Sequence, residues 1–250
     1  MKKWLKRLSL GLIISLLLLA AGGWFLLGTQ QGFTWLLQTA KTLVPGELSV
    51  QQVEGHLLGQ LRLSQVKYEN PDMRLSLSEL KLVWRPAELW QRMLHINELS
   101  SRQIQFEWRK QADDTPSEPV VLSDIKLPLG IRLDQASVRN LQIIGGPDAE
   151  PVVIQELNLS ADWTRDGLNL STLELTMPEA SLQGKGKLNP VNDYPVELTT
   201  DILLTMEGVP GFRAAGRIAG DLQRLEIKQE LTGDVAASVS ADLESVLQEL

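Results

Sequence analysis

Leu168-Asn169-Leu170-Ser171-Thr172-Leu173-Glu174-Leu175 alternates apolar and polar residues, pauses for two polar residues, and then alternates again. Alternation with a period of two marks a β-strand with one apolar face. The pause would throw the second pair of leucines onto the opposite face unless one extra residue bulges out of the strand. Such a bulge restores the phase and bends the strand. The same pattern recurs as Leu61, Leu63, Val66, Tyr68, and again as Leu75, Leu77, Leu80, Leu82, extended to Trp84. Leu94, Ile96, Leu99 is a partial copy, and Ile131, Leu133, Ala136, Val138 a full one. Val152, Ile154, Leu157, Leu159 runs on through Ala161 to Trp163, and a late variant reads Ile218, Gly220, Leu222, Leu225, Ile227. The uneven spacing of the copies excludes a fixed-period solenoid. Asn70-Pro71-Asp72, Gly145-Gly146-Pro147-Asp148, Arg165-Asp166-Gly167 and Asn189-Pro190-Val191-Asn192-Asp193 carry turn chemistry between copies. Short connections predict antiparallel pairing. The fold expected is therefore mainly β: a curved, mostly antiparallel sheet with an apolar inner face.

Three segments depart from this pattern. In Gln30 to Val44, the residues Phe33, Leu36, Leu37, Ala40 and Val44 recur at helical spacing until Pro45-Gly46 stops them. This membrane-proximal helix either packs on its own domain or lies in a bilayer interface with Trp35 as its anchor. Pro86 to Met93 reads as a short helix with proline at a tolerated first position. Lys110 to Pro119 is polar and proline-bearing, a loop or a boundary between two β segments. The organisation expected is a basic start and anchor over 1–28, the helix over 29–46, β segments over 47–109 and 120–250, and the loop 110–119 between them.

No charged residue occurs between Arg7 and Lys41. The apolar run from Leu8 to Leu27 is long enough to span a bilayer as a helix, with Leu16, Leu17, Leu18 and Leu19 at its centre. Trp4, Trp24 and Phe25 stand near its ends, where amphipathic rings favour the interface. Lys2, Lys3, Lys6 and Arg7 precede it, which predicts a cytoplasmic N-terminus and an exported remainder. A cleaved signal peptide is the rival reading, with Ala20 to Gly23 as cleavage site; the run Trp24-Phe25-Leu26-Leu27 continues past that site and favours an uncleaved anchor. The exported part holds all 31 acidic residues against 20 of the 24 basic ones, which argues against nucleic acid as a partner. There is no cysteine, so disulfides contribute nothing.

No catalytic constellation is legible. His56 and His95 both lie on strand-like patterns and read as isolated structural residues, too few for a metal set. There is no G-x-S-x-G elbow. Gly184-Lys185-Gly186-Lys187 lacks the spacing of a phosphate loop and reads as a strand with solvated lysines. No enzyme activity, cofactor or metal is expected.

A single apolar face must be covered. Two solutions are open: a sheet folded on itself as a closed sandwich, or a groove whose inner face takes up acyl chains. The groove would be lined by Leu61, Leu63, Val66, Leu75, Leu77, Leu80, Leu82, Ile131, Leu133, Ile154, Leu157, Leu159, Leu168, Leu170, Leu173 and Leu175. Leucine-rich positions without placed polar groups suit a non-specific apolar surface better than a small-molecule pocket.

Several short pieces, in this order, carry a family likeness: Leu8-Ser9-Leu10-Gly11-Leu12-Ile13-Ile14, Leu27-Gly28-Thr29, Leu43-Val44-Pro45-Gly46, Leu61 to Pro71, His95-Ile96-Asn97-Glu98-Leu99, and Gly216 to Leu222 through Leu231-Thr232-Gly233. On these the chain resembles the N-terminal part of the inner-membrane-anchored branch of the AsmA-like, bridge-like lipid-transfer family, over essentially its whole length. The resemblance implies a periplasmic β-taco, a long groove lined by apolar side chains. It also implies phospholipid transfer toward the outer membrane and support of outer-membrane protein and autotransporter assembly, a form of protein secretion. The outer-membrane barrel TamA is the implied partner. Family members are several times longer, so the expectation is that these residues begin a longer chain and that a C-terminal region beyond them meets TamA. A scaffold that templates the strands of barrel proteins by edge pairing is the alternative.

Overall fold

The computed structural model describes residues 22–109, 124–125, 127–146, 149–191, 193–205, 211–233 and 236–244. Residues 22–28 are helical, and after a bend at Thr29 the chain continues as α1 (Gln30–Leu43). The Thr29 hydroxyl accepts the Gly32 amide at 3.0 Å, satisfying one of the donors left open at a helix start, and donates to the Phe25 carbonyl at 2.7 Å. Gly32 is needed at this corner, because a Cβ there would lie 2.1 Å from the Phe25 carbonyl oxygen.

The strands follow as β1 (Glu47–Gly55), β2 (Gln60–Glu69), β3 (Met73–Trp84), β4 (Met93–Ser101), β5 (Ile104–Trp108), β6 (Gly130–Ile144), β7 (Val152–Thr164), β8 (Gly167–Thr176), β9 (Ala180–Leu188), β10 (Val196–Leu204), β11 (Phe212–Gly220), β12 (Arg224–Thr232) and β13 (Ala237–Glu244). A 3-10 turn, Pro86–Gln91, joins β3 to β4. All thirteen strands belong to one sheet. Its order follows the chain, and β1 and β13 are its two edges among the described strands.

The lane between β3 and β6 is shared: β4 fills one half and β5 the other, so that residues 93–108 act as one strand broken at Arg102–Gln103. Here the pairing departs from the antiparallel expectation, for β6 runs parallel to both β4 and β5. A parallel neighbour requires the chain to return to the end where it started. The polar segment at 110–119 lies within that return, and its own residues are outside those described. The two β segments expected on either side of it are joined in one continuous sheet.

The two-residue pauses have two structural origins. In β6 the register shifts between Leu133 and Ala136, and in β8 between Leu170 and Leu173, as a one-residue bulge requires. At the pauses of β2 and β3 no shift occurs. Gln51, Gln65 and Ser78 stand opposite one another, and each drops out of the ladder on the same line. That line continues through the break at Gln103 to Asn140 and Gln155. Gln65 and Asn140 both take φ of +54°, which is not extended backbone, so the strands turn together there. A step shared by neighbours preserves the apolar phase on both sides without a bulge. Read from one strand at a time, it is indistinguishable from a bulge.

α1 lies on one face of β1–β3. Phe33, Leu61 and Leu63 are buried in a cluster packed by Leu37, Val50, Val53, Leu57, Val66, Leu80 and Leu82. The helix is tied at both ends of the sheet. Leu58 of the β1–β2 turn donates to the Leu27 carbonyl at 3.0 Å, and the Tyr68 hydroxyl donates to the Pro45 carbonyl at 2.7 Å. The end carrying the turn 56–59, where residues 22–28 abut the sheet, is called the near end below.

Candidate functional site

Residues paired directly across neighbouring strands share a face. One row can therefore be followed across the whole sheet: Val53, Leu63, Leu80, Ser101, Val138, Leu157, Leu175, Leu182, Ile202, Ala214, Leu231, Ala237. Ser101 is its one polar member, and its hydroxyl is turned to the Gln103 carbonyl at 3.3 Å. The row beside it on the other face reads Glu54, Arg62, Lys81, Ser100, Ser137, Asn158, Glu174, Gln183, Asp201, Ala215, Glu230, Ser238, polar at every position but Ala215. Amphipathicity is thus a property of the entire sheet.

The sixteen apolar positions singled out from the sequence all fall on the first face. Leu61, Leu82, Leu159 and Leu173 belong to one row; Leu63, Leu80, Leu157 and Leu175 to the next. Val66, Leu77 and Ile154 lie beyond the shared step, followed by Leu75. Leu133 pairs through Ala161 to Leu170, and Ile131 through Trp163 to Leu168. They do not share one environment. Leu61, Leu63, Val66, Leu80 and Leu82 lie beneath α1, which covers its own end of the face because Phe33 and Leu37 need a surface to bury against. The others are half-buried, apart from Ile154, which is buried. Among the described apolar side chains, only Phe33, Leu61, Leu63, Ile154, Pro190 and Tyr194 are buried, whereas two apolar sheets packed together would enclose most of their inner residues. Beyond α1 the face is open among the described residues.

The small residues of the later strands belong to this face too. Leu170 pairs with Gly186 and Leu173 with Gly184. A Cβ on Gly186 would lie 2.6 Å from Leu198 Cδ2, so the neighbouring leucine leans over the space that glycine leaves. No spacing argument applied to a single strand reveals this pairing of large with small.

Of the expected anchor residues, Trp4, Leu16, Leu17, Leu18 and Leu19 lie outside the described residues. Trp24 and Phe25 are on the helical segment 22–28 and are 69% and 50% exposed. No helix among the described residues is long and apolar enough to cross a membrane. α1 packs on its own domain through Phe33, which is buried against the sheet, and Trp35 on its other side is 56% exposed.

The other face carries the charge. Arg74 bridges Glu69 and Glu107, Arg109 reaches Glu69 at 2.8 Å, and Arg217 reaches Glu197 at 2.9 Å. His95 is buried here, its Nδ1 2.8 Å from Glu88 Oε2 and its Nε2 2.9 Å from Asp134 Oδ2. The His95 hydrogen bonds hold both carboxyl groups below their ordinary range, with help from Arg85 at Glu88 and Asn97 at Asp134. The cluster fastens the 3-10 turn to the parallel junction of β4 and β6, a structural task. His56 stands in the β1–β2 turn and not on a strand, a correction to its strand-like pattern. Lys185 and Lys187 are exposed on β9, in keeping with a strand bearing solvated lysines.

A fold of this kind defines a single-layer β protein: an open, mostly antiparallel sheet, polar on one side and apolar on the other. The family described as "TamB, N-terminal domain" matches residues 17–144 and 109–250, and the chain belongs to that family. No solved structure matches the chain.

Proposed function

We propose that the open apolar face carries lipid acyl chains, and that the protein is an inner-membrane-anchored, periplasmic conduit for phospholipid moving toward the outer membrane. The observation that carries this reading is the apolar row from Val53 to Ala237, uncovered beyond α1 among the described residues and backed by a row that is polar except at Ala215. Acyl chains need continuous apolar contact without directional bonds, since burial of hydrocarbon is non-directional and proportional to area. At ~0.8 kcal/mol per buried methylene, a chain resting on such rows is retained yet free to slide from one to the next. On this reading the shared steps and bulges, which bend strands, bring the sheet around its apolar side as a groove. This function is non-enzymatic. Support of outer-membrane protein and autotransporter assembly, together with the barrel TamA, belongs to the same proposal and rests on the family.

A second reading has an observation of its own. β1 and β13 each pair on one side only among the described strands, and a strand edge with free backbone groups can take up a partner strand. On that reading the sheet templates barrel strands. Mass spectrometry of molecules co-purifying with the 250-residue chain separates the two. Bound phospholipid supports the conduit, and client segments crosslinked along β1 or β13 without lipid support the scaffold.

A further inference from the structure

The near end of the sheet holds a pocket of about 580 Å³ between the 3-10 turn, the start of β6, the β7–β8 turn and residues 189–191. Its lining is of two kinds. Leu127, Leu129 and Trp163 give it apolar walls, and the exposed Arg92 and Arg165 also line it. Trp163 heads the row that continues through Leu168, Leu188 and Val196, so the pocket opens onto the apolar face.

Of the arginines among the described residues, seven meet a carboxylate and five do not. Arg74, Arg85, Arg102, Arg109, Arg213, Arg217 and Arg224 each meet a carboxylate. Arg62, Arg92, Arg132, Arg139 and Arg165 meet none among the described residues, in a chain whose net charge is −7, and of these five Arg92 and Arg165 line the pocket. Arg92 is also fixed in place. It ends the 3-10 turn at φ +57°, donates its amide back into that turn, and accepts the Gly130 amide at 2.8 Å. Beside them, Asn189 Oδ1 is buried without a hydrogen-bond partner, an acceptor awaiting a donor.

Unpaired guanidinium groups over an apolar wall complement an anion joined to hydrocarbon, and the planar guanidinium fork matches phosphate oxygens. The location agrees. Residues 22–28 reach the sheet at this end with Trp24 and Phe25 exposed, and the 3-10 turn presents Leu89 and Trp90, the latter 94% exposed. Exposed tryptophans beside an apolar run suit a bilayer interface.

We propose that this pocket is the uptake site of the conduit. Arg92 and Arg165 hold the phosphate of a phospholipid, Asn189 accepts from a head-group donor, and the acyl chains pass beside Trp163 onto the apolar face. The proposal rests on the conduit reading.

The test uses the 250-residue chain in detergent, with dioctanoyl phosphatidylethanolamine, dioctanoylglycerol and inorganic phosphate as probes. Arg92→Gln with Arg165→Gln should weaken the phospholipid at least tenfold and leave dioctanoylglycerol unchanged, with unaltered circular dichroism. A photocrosslinker at Leu129 of the otherwise native chain should capture the phospholipid, which needs no folding of the double variant. Equal phospholipid binding by the double variant, or inorganic phosphate binding as tightly as the phospholipid, overturns the proposal; the second result would mark a site for free phosphate. A crosslinker at Leu175 tells the two claims apart. Lipid captured at Leu175 with unchanged binding by the double variant refutes the uptake site and leaves the conduit standing. No capture at Leu175 refutes the conduit, and the uptake site with it.

Discussion

Placing one carboxylate at each of two leucines distinguishes a covered from an open part of the same face. Leu63 is 9% exposed beneath Phe33, whereas Leu173 is half-buried opposite Gly184. Leu63→Glu loses nearly the whole burial energy of a leucine, about 2 kcal/mol, and leaves a carboxylate enclosed among Val50, Val53 and Leu80 without a partner. An unpaired buried charge costs several kcal/mol more, or forces protonation. The total approaches the ~5–15 kcal/mol that holds a typical domain together. Leu173→Glu loses roughly half the transfer energy, about 1 kcal/mol, because the side chain was half in water already. Its carboxylate reaches solvent, and the adjacent glycine leaves room for it. Urea unfolding of both variants, followed by far-ultraviolet circular dichroism, gives the comparison. The midpoint of Leu173→Glu should stay near that of the unaltered chain and the midpoint of Leu63→Glu should fall steeply. Equal, large losses for both would show that the face is closed over Leu173, and the reasoning would be wrong.

Phe33→Ala should cost about 3 kcal/mol, the usual range for emptying an aromatic site, and should raise binding of a hydrophobic dye as the β1–β3 end is uncovered. Gln65 takes φ +54°, so Gln65→Val should destabilise by ~1–2 kcal/mol while Gln65→Gly is tolerated, as thermal unfolding will register. Glu88 and Asp134 have carboxyl groups held below their ordinary range by His95, so the stability they contribute is present above that range and lost as pH falls through it. Glu88→Gln with Asp134→Asn should flatten the acid limb of a stability–pH profile, and an unchanged limb would remove the cluster from the account. For the anchor, Leu16→Arg should impair membrane insertion by about 3 kcal/mol, read by a reporter fused after Leu250 that loses its periplasmic location.

Much of this sheet was legible because its pattern is local. Leu168 to Leu175 shows its face, its bulge and its exposed residues within eight positions, and the register of β8 against β7 and β9 repeats that reading. What the sequence hid is relational. Gln51, Gln65, Ser78, Gln103, Asn140 and Gln155 lie on one line only after the strands pair, and as single polar residues in separate strands they carry no mark of it. The parallel neighbour of β4 was hidden for the same reason: a polar connection looks alike whether it turns back at once or first travels the length of the sheet. At the site, the leucines were visible by their period. The partial cover by α1 was not, because a helix with Phe33 on one side and Trp35 on the other is compatible with either protein or lipid as its neighbour. Arg92 and Arg165, 73 residues apart in the chain, signal nothing until the 3-10 turn and the β7–β8 turn meet at the near end.

Site-specific photocrosslinking tests the central claim most directly. A crosslinker at Leu77 and at Leu175, on the apolar face beyond α1, is compared with one at Asn169 and at Glu174 on the polar face, in cells carrying the 250-residue chain. Phospholipid should be captured at Leu77 and Leu175 and be absent at Asn169 and Glu174. Capture at none of the four, or equally at all four, would contradict an apolar face that carries lipid.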